Sequence, residues 1–389
     1  MRGVAIAGVG MTEFGKQVGR GVRSLALEAV DRAISDAGLP VEQIQRVYFG
    51  NAIAGIVSQQ EMIRGQVALR HHPLGRLPLI NVENACASGG SAFSMAVEAV
   101  ASGCVDVALA VGAEQMNHVD KGRPFNALRG STDIEEIGEV EPGTMAANSL
   151  LMDFYAGVAQ RYLDTYGADP EDFARVAVKN RNHAALNPLA HLRKPQTVEE
   201  VMNGRLIVAP LTLAMCSPTT DGAAAIIVVS EKVAAQLAQP TIIVRACRVA
   251  SGAAGSPVAD AVALAYATAA VDIGALDCFE LHDAAAPAEL MQYHEIGLCP
   301  EGEGFGLIRD GVTALGGISP VNTSGGLLSR GHPLGATGCA QIVELVLQLR
   351  NQAGARQVEG AKMAMSVNGG GWLDGAYALA IATIVERIS

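Results

Sequence analysis

Short apolar runs rich in β-branched residues alternate along this chain with longer segments whose apolar residues recur at helical spacing. Over roughly the first 110 residues this alternation predicts strands at Val4–Ala7, Arg46–Phe49 and Val105–Val111, and helices at Leu25–Ala37 and Ser91–Ala101. A strand–helix rhythm of this kind is typical of α/β proteins, in which helices cover both faces of a mixed sheet. We therefore expect an α/β fold.

The second half of the chain repeats this rhythm. Strands are predicted at Thr241–Arg245, Cys278–Leu281, Met363–Ser366 and Ala376–Val385, and helices at Val258–Ala270 and Cys339–Arg350. Two similar halves indicate an internal duplication. We expect an N-terminal half formed by residues 1–117 plus 206–236, and a C-terminal half formed by residues 237–389.

The intervening residues, 118–205, are richer in polar and charged side chains. Helices are predicted at Ala146–Tyr166 and Pro170–Leu186, followed by a loop from Asn187 to Pro195. Apolar sequence then returns at Leu206–Pro210 and Ala223–Val229. This arrangement predicts an inserted domain between adjacent strands of the first half, placed over the ligand site.

Composition narrows the range of functions. Of the 389 residues, 50% are hydrophobic and 17% charged, and the net charge of −11 argues against nucleic-acid or membrane-surface binding, which need basic faces. An apolar run of about 18 residues, long enough to span a bilayer, is missing. Seven cysteines without a CxxC pair fit neither a disulfide framework nor a zinc site. A cytoplasmic protein without bound metal is expected.

A cysteine flanked mostly by small residues is the first candidate for a catalytic residue. Cys86 lies within Asn81–Ala92, a stretch composed mostly of small residues. This pattern favours a thiol at the sharp start of a buried helix, where backbone N–H groups and the helix dipole stabilise a thiolate. The alternative interpretation is a small core residue.

Two histidine motifs downstream can complete an active site around such a thiol. His332 lies in the turn Gly331–Gly338, where it can take a proton from a thiol, and His282 follows an apolar strand, at the end where α/β folds place ligand sites. The glycines of Ser366–Gly371 allow close backbone approach and suit an oxyanion hole. Each motif has a plain alternative: a helix-entry turn, a strand-end histidine satisfied by backbone, or an ordinary turn.

Nucleotide cofactors find little support. Gly8-Val9-Gly10 lacks the third glycine of a dinucleotide fingerprint, and a phosphate-binding loop with GxxxxGK[ST] is missing. His118, Cys216 and Cys339 are near-site candidates that packing explains as well.

Taken together, these motifs resemble the thiolase superfamily over nearly the whole chain. The cysteine loop beginning at Asn84 resembles the family's nucleophile loop, and Gly331–Gly338 resembles its most specific motif. Three further stretches fall in the expected order: Gly112–Met116, Thr220–Ala225 and Asn322–Gly326. The pair His282-Asp283, followed by Glu289 and Gly297–Gly302, is similar to the sterol-carrier-protein type of thiolase.

The resemblance implies a thiolase fold, with two similar α/β halves in a layered αβαβα core and a helical insertion in the first half. It also implies residue roles. Cys86 attacks the acyl thioester, His332 activates Cys86, and His282 supports one oxyanion hole, while backbone N–H groups of Cys86 and about Gly369 form the other. Acyl-CoA is the implied substrate, with coenzyme A as co-substrate and no permanently bound cofactor. A homodimer or a dimer of dimers active in lipid metabolism is the implied assembly.

The sequence departs from the family at the second catalytic cysteine. The usual position corresponds to about Val367, and the sterol-carrier-type position to Ala284. Four interpretations remain open. The protein is either a thiolase-type acyltransferase that uses His282 or water as acid/base, or a decarboxylating ketoacyl-synthase-type enzyme. Otherwise it is a subunit that needs a small OB-fold or zinc-ribbon partner, with retro-aldolase chemistry as one option, or a non-catalytic acyl-CoA-binding scaffold. The first is our prediction, with thiolytic cleavage favoured over condensation.

Overall fold

The computed structural model describes residues 2–137, 150–252 and 255–388. Its strands in chain order are β1 Val4–Met11, β2 Arg46–Gly50, β3 Leu79–Val82, β4 Val107–Glu114, β5 Leu206–Val208, β6 Leu211–Thr212, β7 Gly222–Ser230, β8 Thr241–Ser251, β9 Cys278–Glu280, β10 Met363–Gly370 and β11 Leu379–Ile388. Its helices are α1 Val22–Ala37, α2 Ala54–Ser58, α3 Arg64–Leu69, α4 Ser88–Ala101, α5 Gly122–Arg129, α6 Ile134–Ile137, α7 Leu150–Tyr166, α8 Pro170–Ala185, α9 Val198–Met202, α10 Glu231–Ala234, α11 Pro257–Ala269, α12 Ala286–Glu295, α13 Gly304–Arg309 and α14 Thr337–Leu349.

Nine of the strands form one mixed sheet in the order β3-β2-β4-β7-β1-β8-β11-β10-β9. In the first half, β1 and β4 are antiparallel to β7, and β2 runs parallel to β4 and β3. In the second half, β8 and β10 are antiparallel to β11, and β9 runs parallel to β10 and to a bridge at Val321. The two halves share one strand order and one set of directions, which supports the predicted duplication.

The halves meet along their first strands and through their central helices. Strands β1 and β8 pair at only two positions, Ala5 with Ile243 and Ile6 with Ile242. Helices α4 and α14 pack against each other and against strands of both halves, whereas α1 covers the outer face of the first half-sheet and α11 that of the second. Layers therefore follow in the order α1, sheet, α4 with α14, sheet, α11, which is the predicted αβαβα arrangement.

Burial explains why these segments form the core. All nine residues of β7 and all eight of β4 are buried, because helices cover both faces of these strands. Helix α8 begins with a capping box in which Asp169 bonds the first turn, and Pro170 occupies its first position. Helix α1 ends at Gly38, whose positive φ of 62° suits glycine.

The elements predicted from the sequence begin within three residues of their predicted starts, whereas β1 and β10 extend four residues and β8 six residues beyond their predicted ends. The strand predicted from Val105 begins at Val107, the last strand begins at Leu379 rather than Ala376, and the helix predicted from Cys339 begins two residues earlier at Thr337. The start of the helix predicted at Ala146 lies outside the described residues. Shifts of about one or two residues are ordinary at element ends, where hydrogen bonding is incomplete.

The segment that connects β4 to β7 joins two neighbouring antiparallel strands. It contains α5 to α9 and the small hairpin of β5 and β6, with an irregular loop between Leu186 and Thr197. An insertion at this point was predicted, although the proposed boundaries 118–205 stay a prediction. Among the residues that the structure describes, no helix is both long and apolar enough to cross a bilayer.

Candidate active site

Cys86 lies in a 3-10 turn, Ala85–Ala87, that leads directly into α4. Ala85 has a φ of 47°, an uncommon conformation for a residue with a side chain, which makes the turn sharp. The Ser88 hydroxyl fixes the turn by accepting from the Asn84 N–H at 3.0 Å and donating to the Ala85 carbonyl at 2.7 Å. The thiol is therefore held at the N-terminal end of a buried helix, as predicted.

His332 occupies the corresponding place in the second half, just before the 3-10 turn Leu334–Ala336 and α14. The Thr337 hydroxyl donates to the Pro333 carbonyl at 3.0 Å and lies 2.7 Å from Nδ1 of His332. Because that hydroxyl proton is already used, Nδ1 of His332 donates, and the lone pair is on Nε2. Nε2 of His332 has no hydrogen-bond partner within the described part of the chain.

His282 follows β9 and is held through both its backbone and its ring. The Gln292 amide accepts from the His282 N–H and donates to its carbonyl, each at 2.9 Å. The Asn368 amide nitrogen lies 3.3 Å from the Cys86 carbonyl and 3.2 Å from Nδ1 of His282. Since a carbonyl only accepts, the amide nitrogen must face it and can donate to both groups. Nδ1 of His282 is then the acceptor, and Nε2 carries the proton.

The structure brings the three predicted side chains together. One donor atom from each of Cys86, His282 and His332 lies within 4.8 Å of the others, and all three residues are buried. The two imidazole rings meet edge to face, with centroids 5.2 Å apart and planes at 84°. The thiol therefore lies beside two imidazoles, and the two rings have opposite tautomers. Two nitrogens and a sulfur at this spacing can also bind a metal such as zinc, so the expected absence of metal stays an expectation.

Burial keeps all three groups neutral in the resting protein. It raises the pKa of Cys86 to about 12, with a smaller contribution from the Glu114 carboxyl. Burial, followed by the charge of Arg330, lowers the pKa of His282 to about 3, and burial and the neighbouring His282 lower that of His332 well below its ordinary value. Burial therefore opposes the expected thiolate. A backbone N–H does favour the anion, but the desolvation cost is larger.

Glu114 connects the turn after His332 to the segment that follows β2. Its carboxyl accepts from the Asn51 amide at 2.7 Å, from the Ala52 N–H at 2.8 Å and from the Gly335 N–H at 3.1 Å. Burial raises its pKa to about 7 despite these bonds. Glu114 thus fixes the turn that carries His332 to the ends of β2 and β4.

Strand β10, in which the oxyanion hole was predicted, also places in the site a side chain that was not predicted to be functional. Residues alternate across β10, so Val367 packs in the core while Asn368 reaches Cys86 and His282. The side chain that faces the site is therefore Asn368, which corrects the assignment of the missing cysteine's position to Val367. Gly369 is followed by Gly370 and Gly371, which line the cleft, and the role of the Gly369 N–H stays a prediction.

A cleft of about 640 Å³ opens onto these groups. Ala284 lines it, so the sterol-carrier-type cysteine position does face the site. Cys216 also lines the cleft, whereas Cys339 donates to the Gly89 carbonyl at 3.3 Å within the core, and His118 accepts from the Asp120 N–H of its own loop.

Four further residues support the site and were not predicted as functional: Glu114, Thr337, Asn368 and Tyr377. The Tyr377 hydroxyl donates to the His282 carbonyl at 3.2 Å, and its ring contacts the His282 ring at 5.4 Å. Three of them, Glu114, Thr337 and Asn368, lie inside motifs that the sequence does single out, so these motifs could have identified them as functional. Tyr377 lies outside every such motif.

The chain belongs to the thiolase family. Residues 4–232 match the family model of the thiolase N-terminal domain, and residues 246–383 match that of the thiolase C-terminal domain-like family. The predicted family and thiolase fold are thereby confirmed.

Curated relatives carry the names of thiolase-family enzymes, in agreement with the prediction of an acyltransferase. An acetyl-CoA acetyltransferase from Methanothermobacter thermautotrophicus is 38% identical over 95% of this chain and 97% of its own length. The benzoylsuccinyl-CoA thiolase subunit BbsB from Thauera aromatica is 39% identical over 95% of both chains. Bovine sterol carrier protein 2 is 34% identical over 94% of this chain and 69% of its own length.

Solved structures agree on the fold. The Ltp2-ChsH2(DUF35) aldolase superposes with a TM-score of 0.81 at 29% identity, covering 99% of this chain and 98% of that chain. Human mitochondrial 3-ketoacyl-CoA thiolase in complex with CoA superposes with a TM-score of 0.73 at 19% identity, covering 100% and 98%.

The neutral resting state predicts how Cys86 reacts with iodoacetamide. Because the pKa of this thiol is raised to about 12, the thiolate fraction grows about tenfold per pH unit, and alkylation of Cys86 should rise without a plateau from about pH 6 to about pH 10. Peptide-resolved mass spectrometry measures it, with the exposed Cys104 in the same digest as a comparison. A rate that levels off near neutral pH contradicts the neutral state and indicates a thiolate–imidazolium pair.

Proposed function

We propose that this protein is a thiolase-type acyl-CoA C-acyltransferase that cleaves or forms a 3-oxoacyl-CoA through an acyl-enzyme on Cys86. One observation carries the proposal: Cys86, His282 and His332 converge within 4.8 Å on an open cleft. A binding scaffold has no need of a thiol beside two imidazoles. Family membership supports the same conclusion.

His332 is the general base in this proposal. Its Nε2 lone pair faces the site without a partner among the described residues, so it can take the Cys86 proton. The raised thiol pKa and lowered imidazole pKa make an ion pair unfavourable at rest. The proton therefore moves as the sulfur bonds to the 3-oxo carbon, when charge passes to the substrate oxygen.

His282 supports the oxyanion in this proposal. Its Nε2–H is a fixed donor, because Asn368 donates to Nδ1 and so selects the tautomer. A donor that is already oriented in a buried site stabilises developing negative charge without reorganisation. The backbone N–H groups of Cys86 and Gly369 would serve the second oxyanion hole. Nδ1 is occupied and Nε2 is protonated, so His282 is poorly placed to act as a base on the substrate Cα.

The cleavage direction needs no second cysteine. Attack by Cys86 breaks the bond between Cα and the 3-oxo carbon, and the electron pair stays on Cα of the departing acyl-CoA. The proton that His332 took from the thiol can be returned to that carbon, which completes the first half-reaction. Free coenzyme A then takes the acyl group from Cys86. Condensation instead requires removal of a proton from an unactivated acetyl Cα, which favours thiolysis as the physiological direction.

Coenzyme A is the proposed co-substrate, and no permanently bound cofactor is proposed. Lys16, Arg181 and Arg205 line the cleft and offer positive charge for its phosphates. All seven cysteines are free, which fits the proposed cytoplasmic location and a role in lipid metabolism.

A second candidate function is retro-aldol cleavage in a complex with a small OB-fold or zinc-ribbon partner. It is favoured by the likeness to the Ltp2-ChsH2(DUF35) aldolase, which at 29% identity exceeds that to the human thiolase. Positions 284 and 368 hold alanine and asparagine rather than cysteine, which fits this function as well. Decarboxylating ketoacyl-synthase-type chemistry and a scaffold role are further alternatives.

Acylation of Cys86 tests the proposed function. On incubation with acetoacetyl-CoA and longer 3-oxoacyl-CoA substrates, intact mass should reveal one acyl group on the wild type and none on Cys86→Ala. Thiolysis should fall by at least about 10³-fold in Cys86→Ala, because the nucleophile is gone. Cys104→Ala, which removes an exposed thiol, is the matched control and should keep wild-type rates.

The same variants separate the alternatives. Cleavage that survives Cys86→Ala and requires a co-purifying zinc-ribbon protein favours the aldolase. Turnover of malonyl-CoA thioesters with release of CO₂ favours the decarboxylating enzyme. Neither adduct nor turnover with any of these substrates favours the scaffold and contradicts the proposed function.

A cysteine introduced at position 284, the sterol-carrier-type position, should supply the missing acid/base group that exchanges a proton with the substrate Cα. Ala284→Cys is expected to raise the rate of acetyl-CoA condensation at least about tenfold, since positioned acid–base groups contribute about 10² to 10⁴. Val367→Cys, whose side chain packs in the core, is the matched control and should give no gain. Detritiation of the acetyl Cα measures the step directly. A gain in Val367→Cys, or none in Ala284→Cys, contradicts this placement.

We propose a homodimer, or a dimer of dimers, formed through the N-terminal half. The edge strand β3 exposes 40% of Ile80, and α3 beside it begins after Ile63, which is 60% exposed. An open apolar sheet edge favours pairing with another copy. Light scattering should give at least twice the 40.2 kDa chain mass, falling in Ile80→Lys but not in the control Ile318→Lys. A monomeric wild type contradicts the proposal.

A further inference from the structure

Aromatic side chains gather at one end of the cleft although they are scarce in the chain. Trp372, the only tryptophan, stacks on Phe154 with centroids 5.8 Å apart and planes 9° apart. It meets Tyr155 edge to face at 5.2 Å and Tyr377 at 5.6 Å. Trp372, Tyr155 and Tyr377 all line the cleft, together with Phe125. We call Tyr155, Trp372 and Tyr377 the aromatic wall.

The aromatic wall is directly continuous with the catalytic groups. The Tyr377 ring contacts the His282 ring at 5.4 Å with planes at 88°. The Tyr155 hydroxyl donates to that of Tyr377 at 3.1 Å, because the Tyr377 proton is used on the His282 carbonyl. The backbone N–H of Trp372 donates to the Ser131 carbonyl at 2.8 Å, which holds the backbone at the base of this ring against the segment after α5. These contacts make the wall rigid.

Aliphatic side chains pack around Cys86 in addition to the two imidazoles and the Asn368 amide. Cys86 packs in one cluster with Met116, Leu128 and Leu334, and Leu151 packs against that cluster. The charged residues that line the cleft come from other segments of the chain: Lys16, Arg181, Glu200 and Arg205. An acyl group bonded to Cys86 is thus surrounded by aliphatic side chains and the aromatic wall.

We propose that the acyl group carried by Cys86 is bulky, uncharged and ring-bearing, and that Trp372 with Tyr155 selects it. Flat aromatic side chains held in place favour packing against a second ring, by stacking or edge to face. Burial of an apolar ring contributes about 25 cal/mol per Å², and an acetyl group has less apolar surface to bury. A carboxylate on the acyl group would lose hydration among the aliphatic side chains that pack around Cys86. This inference rests on the proposed acyl-enzyme at Cys86.

Three 3-oxoacyl-CoA probes test the inference. Benzoylacetyl-CoA delivers a ring to Cys86, acetoacetyl-CoA delivers an acetyl group, and 3-oxoadipyl-CoA delivers a group with a carboxylate. We expect kcat/KM for thiolysis of benzoylacetyl-CoA to exceed that of acetoacetyl-CoA at least about tenfold, since differences of one methylene are worth about 10- to 200-fold. The carboxylate-bearing probe should be the poorest of the three.

Variants of the wall connect the preference to Trp372. Trp372→Leu should lower the benzoylacetyl-to-acetoacetyl ratio of kcat/KM about tenfold, because the flat face is lost, and Trp372→Phe should keep most of the ratio. Tyr266→Leu, which removes an aromatic ring outside the cleft lining, is the control and should keep the wild-type ratio. If Trp372→Leu does not fold, the same ratio measured in Tyr155→Leu and in the wild type still tests the inference.

Intact mass of the acyl-enzyme separates failure of the inference from failure of the proposed function. If acetoacetyl-CoA or 3-oxoadipyl-CoA acylates Cys86 and is turned over as fast as benzoylacetyl-CoA or faster, the inference is overturned and the proposed function stands. If Trp372→Leu and Trp372→Phe leave the ratio unchanged, Trp372 is not the selecting residue. If none of the probes acylates Cys86, the proposed function fails and the inference fails with it.

Discussion

The close backbone contact between the two catalytic turns is the constraint on which the rest of this structure depends. A side chain at Gly89 would begin 2.5 Å from the Gly335 carbonyl oxygen, and one at Gly112 would begin 2.1 Å from the same atom. Only glycine permits such an approach, since a Cβ there would overlap the backbone. This contact lets the helix that follows Cys86 and the helix that follows His332 lie side by side between the sheets. Residues almost 250 positions apart therefore share one cleft.

Dense packing at this contact also determines the electrostatics of the site. Because all three groups are buried, desolvation dominates, so the thiol and both imidazoles are neutral at rest. Hydrogen bonds, rather than charges, then determine which ring nitrogen of each histidine carries the proton. Thr337 assigns the proton of one imidazole to Nδ1, and Asn368 assigns the proton of the other to Nε2. Two histidine rings with centroids 5.2 Å apart thereby have opposite tautomers, which suits their proposed roles as proton acceptor and hydrogen-bond donor.

The departure from the thiolase pattern is local and chemically consistent. Where a second cysteine would act on Cα, the chain has an alanine at 284 on the cleft wall and an amide at 368 beside His282. The loss removes an acid/base group but leaves Cys86, His332 and His282, the proposed nucleophile, base and oxyanion donor. Such a set suits reactions in which the carbanion arises by bond cleavage. The aromatic wall lies next to this set, so the proposed chemistry and the proposed choice of acyl group involve adjoining side chains.

The sequence by itself determined the α/β rhythm, the duplication, the family and the three side chains that converge, because periodic burial and glycine-rich motifs are local properties of the chain. It could not determine which side of β10 faces the site, so Val367 was chosen where Asn368 lies. Nor could it determine the protonation of Cys86, since helix position favours a thiolate while burial by distant segments favours a thiol. The gathering of Trp372 with Tyr155 was equally hidden. Distances across more than 200 residues and the exclusion of water arise only when the two halves and the insertion pack together.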